Sequence, residues 1–182
     1  MSASETSSAH DRTLERARRI ALEAVLAALI VASGRFKLLP NVEWVSLFCL
    51  TAGLLLGPLA GIRVAAVGEF LYSLLSPYGL APPLVLLAQI VGMAPAGAAG
   101  GFLRRRKHPF WVYGAVAIVT TLWFDLWTNL ASAPYAGGVR RALLLALPFS
   151  AIHKLSNVVL FSLAGPILHA RLSPHFSSSP RR

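Results

Sequence analysis

The fold of this chain is decided by residues 122–129, which read LWFDLWTN. They lie inside the apolar run 110–131, and a run of that length and composition predicts a transmembrane helix. Within it Asp125 and Asn129 are four residues apart, so they share one helical face. An ionisable group inside a bilayer is costly and rarely faces lipid. We therefore expect this face to line a functional site.

The composition of the 182-residue chain is that of a membrane protein. Hydrophobic residues make up 55% of it, and the charged residues are 17 basic and 7 acidic. A soluble domain of this size carries less apolar sequence. The net charge of +10 does not indicate nucleic acid, because the arginines cluster at the ends of apolar segments and no basic-aromatic patch accompanies them. We predict a multi-pass helical protein of the lipid bilayer with no nucleic-acid partner.

Six apolar segments predict an all-α membrane protein with six transmembrane helices in a single domain, residues 17–172. The polar segments 1–16 and 173–182 are predicted to be disordered. The last apolar run is too long for one span, so Pro148 is predicted to start the sixth helix, after an outer loop at 132–141 and a surface turn.

The basic residues predict the orientation of the chain. With both termini inside, twelve basic residues lie on the inner side, four lie on the outer side, and Lys154 lies within a span. Inner loops of membrane proteins carry an excess of Lys and Arg. Both termini are therefore predicted to be cytoplasmic.

Polar side chains from several helices fall at one level, in the outer half of the membrane. At 1.5 Å per residue, Asp125 and His153 both lie ~8 Å from the outer surface and Asn157 lies ~13 Å from it. By the same measure Gln89 lies at ~9 Å and Glu69 at ~10 Å. This convergence predicts a pocket that is open to the outside and holds a small polar or amphipathic molecule. The candidate ligand-binding residues are Asn41, Glu43, Gln89, Asp125, Asn129, His153 and Asn157.

Two interpretations of this polar layer stay open. The layer could bind a ligand, or Asp125 could pair with Lys154 or His153 in a network that only fixes helix packing. The role of Glu69 is equally open. The sequence has no zinc-protease motif, no nucleophile elbow and no phosphate-binding loop, so we expect no enzyme activity, no metal and no cofactor.

The first helix carries a stripe of small residues. Small side chains let another helix backbone approach closely. The stripe could pack against a neighbouring helix of this chain or against an external partner. The apolar run of this helix could also be a cleaved signal peptide, but Glu23 within the run argues against that. Its members are Ala17, Ala21, Ala24, Ala28 and Ala32.

The chain resembles the substrate-binding S components of energy-coupling factor (ECF) transporters, over about residues 17–170. The resemblance rests on the six short helices, the alanine-rich first helix and four stretches in order. These read LLPNVEWVSL, GPLAGIRVAAVGEFLYSLLSPYGLAPP, FDLWTNLA and PFSAIHKLSNVVLF.

The resemblance implies a bundle that captures a vitamin or related micronutrient from outside a prokaryotic cell, in the plasma membrane. It implies no ATPase activity in this chain. A membrane coupling (T) subunit and two cytoplasmic ATPases would be its partners, with Ala24, Ala28 and Ala32 contacting the coupling subunit. The N-V-E and D-L-x-T-N pieces look closest to members linked with cobalamin or its precursors.

Two other classes of function stay open at this point. The first is a stand-alone small permease driven by an ion gradient, in which Asp125 or Glu69 would carry a proton. The second is a membrane enzyme that uses Asp125 and His153 as acid and base.

Overall fold

A computed structural model describes residues 3–34, 44–76 and 79–175 of the chain. Across these ranges the regular structure is helical, with no strand. There are six α-helices and a closing 3-10 turn at Ser173–His175. The helices are α1 (Ala3–Ser33), α2 (Val45–Leu56), α3 (Pro58–Leu74), α4 (Pro83–Leu103), α5 (Phe110–Ala136) and α6 (Val139–Leu172).

The all-helical prediction is confirmed, and the six-span topology with cytoplasmic termini remains a prediction. Three helices, α4, α5 and α6, are long and apolar enough to cross a membrane, and α2 is a shorter apolar helix. The described part of segment 1–16 is helical, because α1 begins at Ala3. The bounds of the membrane domain, residues 17–172, and the disorder of the flanking segments stay predictions.

The prediction that Pro148 starts the last helix is wrong. Pro148 lies inside α6, and the predicted loop at 132–141 shrinks to a turn at Gly137 and Gly138. Their φ angles are 85° and 120°, which glycine adopts without steric cost. This tight turn lets α5 run on past Pro134, and prolines are tolerated in apolar helices whose neighbours satisfy the freed backbone groups.

Glycines bring α2, α3 and α4 into backbone contact. A Cβ atom added to Gly61 would collide with the carbonyl oxygen of Gly97 and lie 2.7 Å from the Cα of Gly53. A Cβ atom on Gly101 would collide with Pro58. Gly53, Gly61 and Gly97 therefore serve packing within the chain.

The first helix is fixed to this core by an apolar face and an ion pair. Leu26 and Ile30 are buried in a cluster with residues of α2, α3 and α4. Nearer the start of α1, Glu23 accepts two hydrogen bonds from Arg63 of α3, one of them from Nε at 3.1 Å. Arg19 donates to the backbone oxygen of Leu56 at 3.2 Å. The opposite face of α1 is left exposed.

Candidate functional site

A cavity of about 560 Å³ opens among five helices, α2 to α6, at the end of the bundle where α3 and α5 finish and α4 begins. The connection before α4 closes one side with Gly79, Leu80 and Pro82. Four of the seven predicted ligand-binding residues line the cavity, and so does Glu69. The four are Gln89, Asp125, Asn129 and His153.

Asp125 is the centre of the polar wall of this cavity. His153 Nδ1 lies 2.9 Å from its Oδ1, and Lys154 Nζ lies 3.3 Å from its Oδ2. Ser150 also hydrogen-bonds this carboxylate. The Asp125 and His153 side chains are each only 12% exposed. Because two successive residues of α6 reach the two oxygens, the carboxylate is fixed in one orientation.

The hydrogen bond to Asp125 determines which ring nitrogen of His153 carries the proton. A carboxylate accepts hydrogen bonds, so Nδ1 of His153 is the donor. In the neutral imidazole the other nitrogen, Nε2, is then an acceptor. The ring is held edge-to-face on Phe124, with 5.5 Å between the ring centroids. When the imidazole is neutral, the wall presents an acceptor beside a fixed carboxylate.

Gln89 adds a further acceptor on the opposite side of the cavity, from α4. Its Oε1 is buried and has no hydrogen-bond partner among the described residues. Buried polar atoms are nearly always hydrogen-bonded in folded proteins. An amide oxygen left over on a cavity wall is therefore suited to a donor group of a bound molecule.

Asn157 lies beneath the cavity, outside the group of residues that line it. It is 1% exposed and donates from Nδ2 to Thr121 Oγ1 at 2.9 Å. The same nitrogen lies 3.5 Å from Ser46 Oγ, and Ser46 does line the cavity. The structure therefore connects Asn157 to the floor, and its role as a direct ligand stays a prediction. Asn41 and Glu43 lie outside the described residues.

Sequence reasoning missed several lining residues. Thr128 and Ser132 follow Asp125 at three and seven residues, so they continue the face of Asp125 and Asn129. That spacing could have been recognised, but small hydroxyl residues carry little signal in an apolar helix. Both donate to backbone oxygens of their own helix, Thr128 to Phe124 and Ser132 to Thr128. The aromatic lining, Tyr72, Phe124 and Phe149, had no distinguishing pattern at all.

The polar residues of the cavity do not form a metal-binding cluster in the part of the chain that the structure describes. Within residues 3–34, 44–76 and 79–175, no group of three or more His, Cys, Asp or Glu side chains could hold a metal ion. Cys49 is buried and free.

The alanine stripe of α1 faces away from the bundle. Ala21, Ala24, Ala28 and Ala32 are exposed, whereas Leu26 on the other face is buried. Of the two interpretations of the stripe, packing against this chain's own helices does not apply to these four residues. They form an open face of small side chains.

Comparison with protein families gives one match. Residues 15–173 match the model of the family described as ECF-type riboflavin transporter, S component. The matched range contains the cavity and all but the beginning of α1. Searches of the curated proteins and of the solved structures returned no match.

Proposed function

This chain belongs to the family of ECF-type transporter S components, and from that membership we propose that its cavity binds a vitamin of the riboflavin class for uptake. The membership confirms the resemblance found in the sequence. S components are substrate-binding proteins of transporters and are not enzymes. The family implies a small-molecule vitamin substrate, with a T subunit and ATPases as partners in the membrane. It does not favour a stand-alone permease.

The cobalamin-type substrate suggested by the sequence pieces finds no support, because the matched family is described by riboflavin. A flavin combines a flat aromatic ring system with a polar edge and a hydroxylated side chain. The cavity volume of about 560 Å³ falls within the range of ~300–1,000 Å³ that is usual for sites of small organic ligands.

The observation that carries the proposal is the surplus of hydrogen-bond acceptors beside aromatic surface. Asp125 and His153 offer acceptors on one wall, and the buried Oε1 of Gln89 offers another. Phe124 and Phe149 supply apolar faces. A flavin brings an imide N–H and several hydroxyl donors, and its ring would replace water on the aromatic faces.

The remaining candidate residues take supporting roles in this proposal. Asn129 would bind the hydroxylated side chain of the vitamin, one turn outward from Asp125. Asn157 would act through Ser46 by fixing the floor. Asn41 and Glu43, in the connection before α2, would cover the ligand from outside.

We further propose that the exposed alanines Ala24, Ala28 and Ala32 contact the coupling (T) subunit, which two cytoplasmic ATPases would drive. Their support is the flat, exposed face on the side of α1 opposite Leu26. Small side chains let a partner helix approach closely. We place the six helices in the plasma membrane of a prokaryote, with both termini cytoplasmic and the cavity facing out.

Titration of the purified protein with riboflavin tests the proposed substrate. The flavin's own fluorescence should change in a saturable way, with one site per chain. In Ala146→Trp a large side chain would project from the cavity lining, and binding should be lost. Leu145→Trp is the matched control, because Leu145 is 59% exposed and lies outside the lining, so it should bind like wild type. Equal binding by both variants, or no binding by wild type, would overturn the proposal.

A further inference from the structure

A second cavity, of about 430 Å³, lies on the side of the bundle between α4 and α5. Its walls are Pro95, Ala98 and Phe102 from α4 and Trp111, Ala115 and Val119 from α5. The one hydroxyl among its lining residues, on Thr120, donates to the backbone oxygen of Val116 at 2.8 Å. We call this cavity the α4–α5 groove. Its lining offers a ligand almost entirely apolar contacts.

The groove extends over most of the depth of one leaflet of a bilayer. From Phe102 to Pro95 the α4 wall rises ~10 Å, and from Trp111 to Val119 the α5 wall rises ~12 Å. Half of a ~30 Å hydrocarbon core is ~15 Å. Phe102 and Trp111, at one end, are 74% and 62% exposed. An extended acyl chain therefore fits the groove in both length and chemistry.

The same end of the groove opens onto a run of positive charge. Arg104, Arg105, Arg106 and Lys107 connect α4 to α5, and the last three of them are exposed. Burial, together with the charges of Arg105 and Arg19, lowers the pKa of Arg104. Between Glu69 and Asp125 the sequence has no acidic residue. This crowding of like charges favours an anion at the mouth of the groove.

We propose that the α4–α5 groove and the basic connection form a binding site for one anionic phospholipid. An acyl chain lies against Phe102, Ala115 and Val119, and the headgroup phosphate meets Arg105, Arg106 and Lys107. Clusters of Lys and Arg next to a membrane helix attract anionic lipid headgroups. A helix of a partner protein would match the apolar groove, but it would also need acidic residues at the mouth to balance the basic connection, which a lipid phosphate supplies by itself. The site lies at the opposite end of the bundle from the proposed vitamin cavity and is independent of it.

The test is native mass spectrometry of the full chain in mild detergent supplied with equal amounts of phosphatidylglycerol and phosphatidylcholine. Wild type should retain phosphatidylglycerol in preference. The double variant Arg105→Gln/Arg106→Gln should bind it about 30-fold more weakly, from the usual effect of two basic residues near an anionic surface. Arg140→Gln/Arg141→Gln removes the same charge at the start of α6 and should behave like wild type.

A second pair of variants tests the groove itself. Ala115→Phe fills it and should abolish the preferred lipid adduct, whereas Ala151→Phe adds the same bulk at an exposed position of α6 and should not. Equal retention of the two lipids by wild type would overturn the proposal. Unchanged lipid binding in Ala115→Phe would also overturn it. The same holds if Ala115→Phe or Arg105→Gln/Arg106→Gln retains the lipid but no longer copurifies with a coupling subunit. Thermal unfolding of each variant in detergent checks that the bundle is folded.

Discussion

Asp125 organises the cavity because successive residues of α6 reach both of its oxygens. Adding residues along each helix placed Asp125, His153 and Gln89 at one depth, and all three line the cavity. The same procedure placed Asn157 deeper, and in the structure it lies below the lining residues, against Thr121. Depth along a helix follows from the sequence, but where a cavity ends depends on the neighbouring helices.

At this scale we expect Asp125→Asn to weaken riboflavin binding by tenfold or more. The substitution keeps the shape of the side chain and removes the charge that orients His153 and Lys154. Hydrogen bonds to a charged group are worth about 1.5–3 kcal/mol, and ~1.4 kcal/mol corresponds to tenfold in affinity. Titration measures the change. Asp11→Asn, at an exposed position of α1, is the control, and equal affinities of the two variants would contradict the role of Asp125.

Asn157→Ala should affect stability more than affinity. It removes the hydrogen bond to Thr121 and leaves that buried hydroxyl with one partner fewer, at a cost of about 1–3 kcal/mol. Thermal unfolding in detergent should show a lower midpoint, while riboflavin affinity should change less than in Asp125→Asn. A variant with an unchanged midpoint and a large loss of affinity would mean that Asn157 contacts the ligand directly.

The helices show where sequence patterns determine packing and where they do not. The second half of α4 is rich in glycine and alanine, which favours close helix packing, and its Gly97 contacts Gly61 of α3. The sequence of α4 does not identify the helix that packs against it, because glycines four residues apart can contact a helix of any chain. The ends of α5 and α6 were also beyond prediction. Two adjacent glycines with positive φ close a turn that a loop of ten residues would otherwise make.

Packing between α3 and α4 predicts that Gly61→Ala is strongly destabilising. Its Cβ would meet backbone atoms of Gly97 and Gly53, which cannot rotate away. Overpacking of this kind usually costs about 1–3 kcal/mol or more. Gly114→Ala is the matched control, since its Cβ would lie 2.7 Å from Ser162 Oγ, the end of a short movable side chain. Thermal unfolding should separate the two variants, and equal midpoints would contradict backbone contact at Gly61.

The exposed face of α1 predicts a variant that separates assembly from binding. Ala28→Trp should prevent copurification of a coupling subunit, because a large ring would hold the partner helix away. Riboflavin affinity should stay at the wild-type value. Leu155→Trp, at a 68% exposed position of α6, is the control and should assemble normally. Normal assembly of Ala28→Trp would assign the coupling contact to another surface.

At the scale of the whole molecule, the two ends of the bundle differ in what they carry. The cavity proposed to bind a vitamin lies where α4 begins, and the basic run follows directly after α4 ends. Composition and the six apolar segments were enough to predict an all-helical membrane protein, whereas the family resemblance also needed four sequence stretches in a fixed order. The sequence does not identify the vitamin, because an acid, an imidazole and several amides suit many polar ligands. The description of the matched family narrows the choice of vitamin, and the aromatic lining of the cavity is compatible with it.

The most direct test of the central claim, that the polar cavity holds a vitamin, is to identify what the protein retains. The chain is purified natively in mild detergent from cells supplied with many vitamins, and the released small molecules are identified by mass spectrometry. We predict one molecule of riboflavin or a close flavin relative per chain, lost in Ala146→Trp and kept in Leu145→Trp. Wild-type protein that is empty, or a ligand that Ala146→Trp retains equally well, would contradict the claim.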